Sequence, residues 1–192
     1  MEKFVNNFFL NKEFRMEDRT LAISTIKRLS RRLRIMTLIV LIGTWAVFAL
    51  AAEFNGIAPL LSVPKNMTVD LSMVSSFSLA MVYMLAAIKP AAFIPVLYSL
   101  YKLFASYQEG RVFTPENIKF IRRIGFSLMA IDLIFIVQSA LTGPVLSWLG
   151  VVKPYFSLDL AISYLIIGLF VELISRVMDM GRQLKEYQDL IV

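Results

Sequence analysis

Ile35–Ala52 reads IMTLIVLIGTWAVFALAA, eighteen residues without a formal charge. A helix that crosses the hydrocarbon core of a bilayer needs about 20 mostly apolar residues. This stretch meets that need, with a basic segment before it and Glu53 after it. The tripeptide Ala49-Leu50-Ala51 has the small-x-small form of a signal-peptide cleavage site. The apolar run is, however, longer than the roughly 7–15 residues of a signal peptide, and 34 residues precede it. An uncleaved anchor is therefore expected.

Three further apolar runs follow. Leu71–Tyr101 is interrupted only by Lys89. It exceeds one bilayer crossing, so the span is placed at 80–104, with 71–79 as an interfacial lead-in. The third span is 124–142, closed by the helix-breaking pair Gly143-Pro144. The fourth is 157–178. In lipid every backbone polar group needs an internal partner. A transmembrane barrel would show alternating segments of about 10 residues, and these runs are continuous. The sequence therefore predicts an all-α integral membrane protein, a bundle of four transmembrane helices. It divides into a basic amphipathic segment (1–34), the membrane domain (35–178) and a tail (179–192).

The whole composition agrees. Hydrophobic residues make up 58% and charged residues 18%, against roughly 45–50% and 25% in soluble domains. The chain has no Cys and no His. That removes disulfides, thiolate and imidazole chemistry, and zinc sites built on those ligands. No Walker-type phosphate loop and no metal-ligand cluster is visible, and the carboxylates are spread over different helices. Neither an enzyme nor a bound cofactor is expected.

Orientation follows from the Lys/Arg asymmetry. Residues 1–34 carry nine, the 102–123 loop five and the 176–185 stretch three, whereas Lys65 and Lys153 stand alone on the other side. Both termini are therefore expected inside. Within 17–34, Leu21, Ile26, Leu29 and Leu33 recur at roughly helical spacing beside Lys27, Arg28, Arg31, Arg32 and Arg34. This describes an amphipathic helix on anionic headgroups.

The 102–125 loop carries its own punctuation. Gly110 suits a helix end, Thr114 an N-cap and Pro115 the first helical position. Glu116 complements the helix dipole. Arg111, Lys119, Arg122 and Arg123 make this turn basic. In the tail, Gly181 marks a break or bend, and Leu184, Asp189, Leu190 and Val192 belong to an apolar end that a partner could capture. The tail packing on its own bundle, and a purely topological role for the arginines, are the plain alternatives.

Loop and tail together resemble a known family. Tyr101-Lys102-Leu103-Phe104, Gly110-Arg111-Val112-Phe113-Thr114, Glu116-Asn117-Ile118 and Arg122-Arg123-Ile124-Gly125 are similar to that family's loop. Gly181, Leu184, Lys185, Glu186, Gln188-Asp189-Leu190 and Val192 resemble its ending, with Ile191 in place of the usual threonine and Tyr187 where a second acid is common. The family is the bacterial "domain of unknown function 2975" group of small four-helix membrane proteins. The resemblance implies a multi-pass protein of the bacterial inner membrane. It also implies frequent gene neighbourhood with a helix-turn-helix regulator of the phage-repressor type. It brings no catalytic residues.

Lys89, Asp132 and Glu172 interrupt the apolar runs, and Gln138 adds a polar group. A charge at the bilayer centre costs about 2.5–3.5 kcal/mol on insertion scales, so such residues face a partner or a cavity. A Lys89–Asp132 pair across the second and third helices is expected, as is a Glu172–Arg176 pair at i+4. Pro90 and Pro95 predict a kink beside Lys89. The functional expectation is a regulatory or sensory membrane protein that docks a cytoplasmic protein, a helix-turn-helix regulator being one candidate, without touching nucleic acid itself. The alternative is a transport, channel or immunity-type protein with Lys89, Asp132 and Glu172 in a polar pathway. Homo-oligomerisation stays open beside the contact with lipid.

Overall fold

In the computed structural model the described backbone covers residues 2–53, 58–64, 67, 71, 74–112 and 114–191. Side chains are described from Ser24 onward, apart from 58, 59, 185 and 189–191. The elements are α1 (Glu2–Glu53), a 3-10 turn (Ala58–Leu61), α2 (Ser76–Ala92), α3 (Ile94–Gln108), α4 (Pro115–Trp148) and α5 (Ser163–Ile191). Every regular element among the described residues is helical. Among the described residues, three helical stretches are long and apolar enough to cross a membrane: Ser24–Glu53, Ser76–Gln108 and Pro115–Trp148.

The basic segment and the first apolar run form one unbroken helix, α1. The second run behaves differently at each end. It becomes helical at Ser76, ahead of the expected start at 80, because the Ser75 hydroxyl accepts the Ser78 N–H and caps α2. It then breaks at Phe93. Pro90 and Pro95 lack the amides that would bond the Ala86 and Ala91 carbonyls, and the Phe93 N–H turns back to the Pro90 carbonyl at 3.4 Å. The expected kink is thus a junction between two helices.

Gly110 ends α3 with φ +81°. The Gly110 N–H bonds the Tyr107 carbonyl and the Arg111 N–H the Ser106 carbonyl, the two bonds of a Schellman cap. Thr114 then caps α4 through the Asn117 N–H, with Pro115 in the first turn.

Gly143-Pro144 does not stop α4. The helix runs through both residues to Trp148. Proline forfeits one hydrogen bond there, and the glycine serves another purpose. A Cβ on Gly143 would lie 2.1 Å from the Tyr155 carbonyl oxygen, so its absence lets the returning chain press against α4. The stop is Gly150, at φ +72°, with a second Schellman pair from Gly150 to Ser147 and from Val151 to Leu146.

The fourth expected span, 157–178, is helical only in its later part, and its helix is not among the three crossing-competent stretches. Residues 157–162 are not helical, and α5 begins only at Ser163. The extended approach hangs on α4: the Asp159 N–H donates to Ser139 Oγ at 3.1 Å and the Leu165 N–H to Asp132 Oδ2 at 2.8 Å. Gly181 does not break α5, which continues to Ile191. Arg182 bridges Asp179 and Glu186 across that glycine, pairs that support a helix.

Helix α4 packs on α5, α3 and α2, while α1 lies mainly along α3. Two cores result. One joins Leu61, Val82, Leu85, Ala86, Leu146 and Val151; the other joins Val96, Leu103, Ile121, Ile124 and Ile131. The junction at Phe93 lies between them, held by edge-on contacts with Phe135 and Tyr164. Between α4 and α5, Gly125 meets Gly168. A Cβ on Gly168 would stand 2.6 Å from the Gly125 carbonyl oxygen, so only small residues permit this crossing. The polarity is inside out: Ile42, Val47, Leu133 and Phe170 are exposed, whereas Asn117, Asp132, Gln138, Ser139 and Thr142 of α4 are buried.

Candidate functional site

Those buried polar groups of α4 fasten its neighbours. Asn117 donates through Nδ2 to the carbonyls of Arg111 and Val112, closing the α3–α4 turn. Gln138 donates to the Leu85 carbonyl at 2.7 Å and to that of Leu60 at 3.2 Å, joining α4 to α2 and the 3-10 turn. Asp132, 1% exposed, lies at the midpoint of α4 and receives the first turn of α5. A carboxylate there meets orphan amides and the positive end of a helix dipole together.

The expected Lys89–Asp132 pair is not formed. Lys89 Nζ donates to Ser62 Oγ at 2.8 Å and stands 5.8 Å from the Phe135 ring, whereas Asp132 holds the backbone of Leu165. Asp132 therefore has an amide as partner where the sequence suggested a cation. Glu172 does pair with Arg176, at 3.2 Å, and also approaches Arg122 of α4 at 3.9 Å. Its carboxylate belongs to the bundle surface rather than to the interior.

Around Glu172 lies a groove of about 530 Å3 between α4 and α5. Lys119, Arg122, Arg123 and Arg176 line it, Glu172 is its one acid, and Phe126 and Met129 add apolar surface. Helix geometry explains the gathering. Lys119, Arg122, Arg123 and Phe126 recur at three and four residues, one face of α4, and Glu172 and Arg176 stand one turn apart on α5. Of the other predicted docking residues, Arg111 does not line the groove and pairs with Glu109. Leu184 is exposed on α5. The side chains of Asp189 and Leu190, and Val192 altogether, lie outside the described residues. Beyond the groove, Arg182 keeps its proton more firmly than a free guanidinium, chiefly through its hydrogen bond to Asp179.

Arg34 has a role that the sequence pattern concealed among the orienting cations. Its guanidinium donates to Gln108 Oε1 at 3.1 Å and to the Tyr101 hydroxyl, and lies 4.4 Å from the Tyr101 ring centre. It thus fastens α1 to the end of α3. Only the distant Tyr101 and Gln108 distinguish it from Arg31 and Arg32.

A chain whose regular elements, among the described residues, are all helical, with a polar interior seam, an apolar exterior and a cationic groove at one end, is the class these features define. The family model described as "Protein of unknown function (DUF2975)" matches residues 77–192, and the chain belongs to that family. The match takes in α2 to α5 and leaves α1 outside. Neither a curated protein nor a solved structure matches the chain.

Proposed function

We propose that the protein is a multi-spanning regulatory component of a bacterial inner membrane, with both termini inside, that docks an acidic face of a cytoplasmic protein. Four crossings are taken: α1, α2 with α3, α4, and the non-helical 157–162 stretch continued by α5, which leaves Lys153 outside. The Lys/Arg count supports placing the groove on the inner side.

The carrying observation is the convergence of Lys119, Arg122, Arg123 and Arg176 on one groove with Glu172 as its one acid. Such a field accelerates encounter with an acidic partner and discriminates against basic ones. The helix-turn-helix regulator that the family resemblance implies is the first partner to try. The polar-pathway alternative has less support, because Lys89, Asp132 and Glu172 have three separate sets of partners.

The test is co-purification from solubilised membranes, comparing the wild type with Arg122→Glu/Arg123→Glu. A bound cytoplasmic protein that the wild type retains and the double variant loses, at equal folded yield, supports docking. Identical profiles would reject it.

A further inference from the structure

Helix α5 stands at the edge of the bundle and, among the described elements, packs only on α4. The face it turns to α4 is fixed: Gly168 meets Gly125, Val171 and Met178 pack against the α3–α4 core, and Ser175 is fully buried. A second stripe runs along the opposite side of the helix. Ile166, Phe170 and Leu173 begin it and Val177, Met180, Leu184 and Tyr187 continue it, each between 46% and 66% exposed. The steps alternate four and three from the first residue to the last, the seven-residue repeat of a coiled-coil seam. The stripe holds this register over about 32 Å of helix at 1.5 Å per residue.

Two observations separate this stripe from ordinary lipid-facing surface. Up to Ile174, α5 exposes apolar side chains on several sides, Leu165, Ile167 and Leu169 included, as a helix in lipid does. From Arg176 to Gln188 the sequence turns charged, and the exposed apolar residues narrow to Val177, Met180, Leu184 and Tyr187 in unchanged register. Water, unlike lipid, penalises that exposure. The second observation is charge placement. Arg182 bridges Asp179 and Glu186 on the side away from the stripe. Of the positions that flank it, Arg176 would face Gly181 of a parallel second copy and Gln183 would face Gln188, so no like charges meet.

We propose that α5 is the interface between two copies of this chain, paired in parallel along the stripe from Ile166 to Tyr187. A two-fold interface uses the same patch on both partners, and a regular repeat is complementary to itself: Met180 packs against the second copy's Met180 and Leu184 against its Leu184. Parallel pairing rests on the multi-spanning reading above, in which both copies share one orientation in the bilayer. The seam lies away from the side of α5 that packs on α4, so pairing leaves the fold of each copy intact. Each copy keeps its own cationic groove, and the dimer presents two.

The chain has no cysteine, so single-cysteine variants of the full-length protein read this contact on a clean background. Met180→Cys and Leu184→Cys on the stripe, and Asp179→Cys and Glu186→Cys off it, are oxidised with copper phenanthroline in native membranes. A band of twice the chain's mass is expected from positions 180 and 184 and not from 179 and 186. Adding Leu184→Glu to Met180→Cys sets like charges against each other in the seam at an exposed site, and should abolish the band at equal protein level. Reporter fusions judge the shared orientation separately. No band from 180 and 184, equal bands from all four positions, a band that survives Leu184→Glu, or adducts with a different protein instead would each overturn the proposal.

Discussion

Asp132 caps a helix that is not its own: its Oδ2 accepts the Leu165 N–H at 2.8 Å, 33 residues further along the chain. The middle of α4 therefore fixes where α5 starts. The segment before α5 stays extended because α4 also supplies Ser139 to the Asp159 N–H. In the proposed topology this non-helical backbone lies at membrane depth, which is tolerated only where protein covers it or a polar cavity receives it; the polar seam of α4 would meet that condition.

Removing the cap should therefore destabilise the bundle by a graded amount. Asp132→Leu leaves a backbone donor without its acceptor, a loss of about 1–3 kcal/mol. Asp132→Asn keeps an acceptor and gives up the charge that favours the helix N-terminus, so about 1 kcal/mol is expected. Thermal unfolding in mild detergent should rank wild type above Asn above Leu. Unchanged melting of both variants would show that the cap contributes nothing.

Two glycines of α5 should respond in opposite directions. Gly168→Leu places a side chain where even a Cβ would lie 2.6 Å from the Gly125 carbonyl oxygen, so α4 and α5 must separate and the folded yield should collapse. Gly181 lies inside the same helix with open space around it. Gly181→Ala should raise stability by about 0.5–1 kcal/mol, the usual gain on replacing a helical glycine. A loss of stability in Gly181→Ala would mean that the tail needs a bend there after all.

The contrast between these residues shows what the sequence could reveal. Gly110, Thr114 and Pro115 are legible because each acts within its own turn, and the helix end, cap and first-turn proline all occur where expected. Gly143-Pro144 misleads because its meaning depends on Tyr155, which returns from beyond the end of α4. Lys89 and Asp132 are legible as buried or half-buried polar groups that need partners. Their partners, Ser62 and the Leu165 amide, depend on a tertiary path that residue spacing does not encode. The cationic groove is half legible: Lys119, Arg122 and Arg123 follow helical spacing, while Arg176 and Glu172 arrive from α5.

Topology supplies an independent check. A reporter active only outside the cytoplasm should give signal when fused after Asn66 or Lys153, and none after Glu109 or Val192. Signal at Glu109 would place the groove on the wrong side for a cytoplasmic partner.

The most direct measurement is photocrosslinking in living cells, with a photoreactive amino acid at Lys119, inside the groove, and at Trp148, at the far end of α4. A discrete adduct with one acidic cytoplasmic protein is expected from position 119. That adduct should be absent from position 148 and disappear when Arg122→Glu/Arg123→Glu is added at equal protein level. No adduct from position 119, or an adduct that survives the charge reversal, would contradict it.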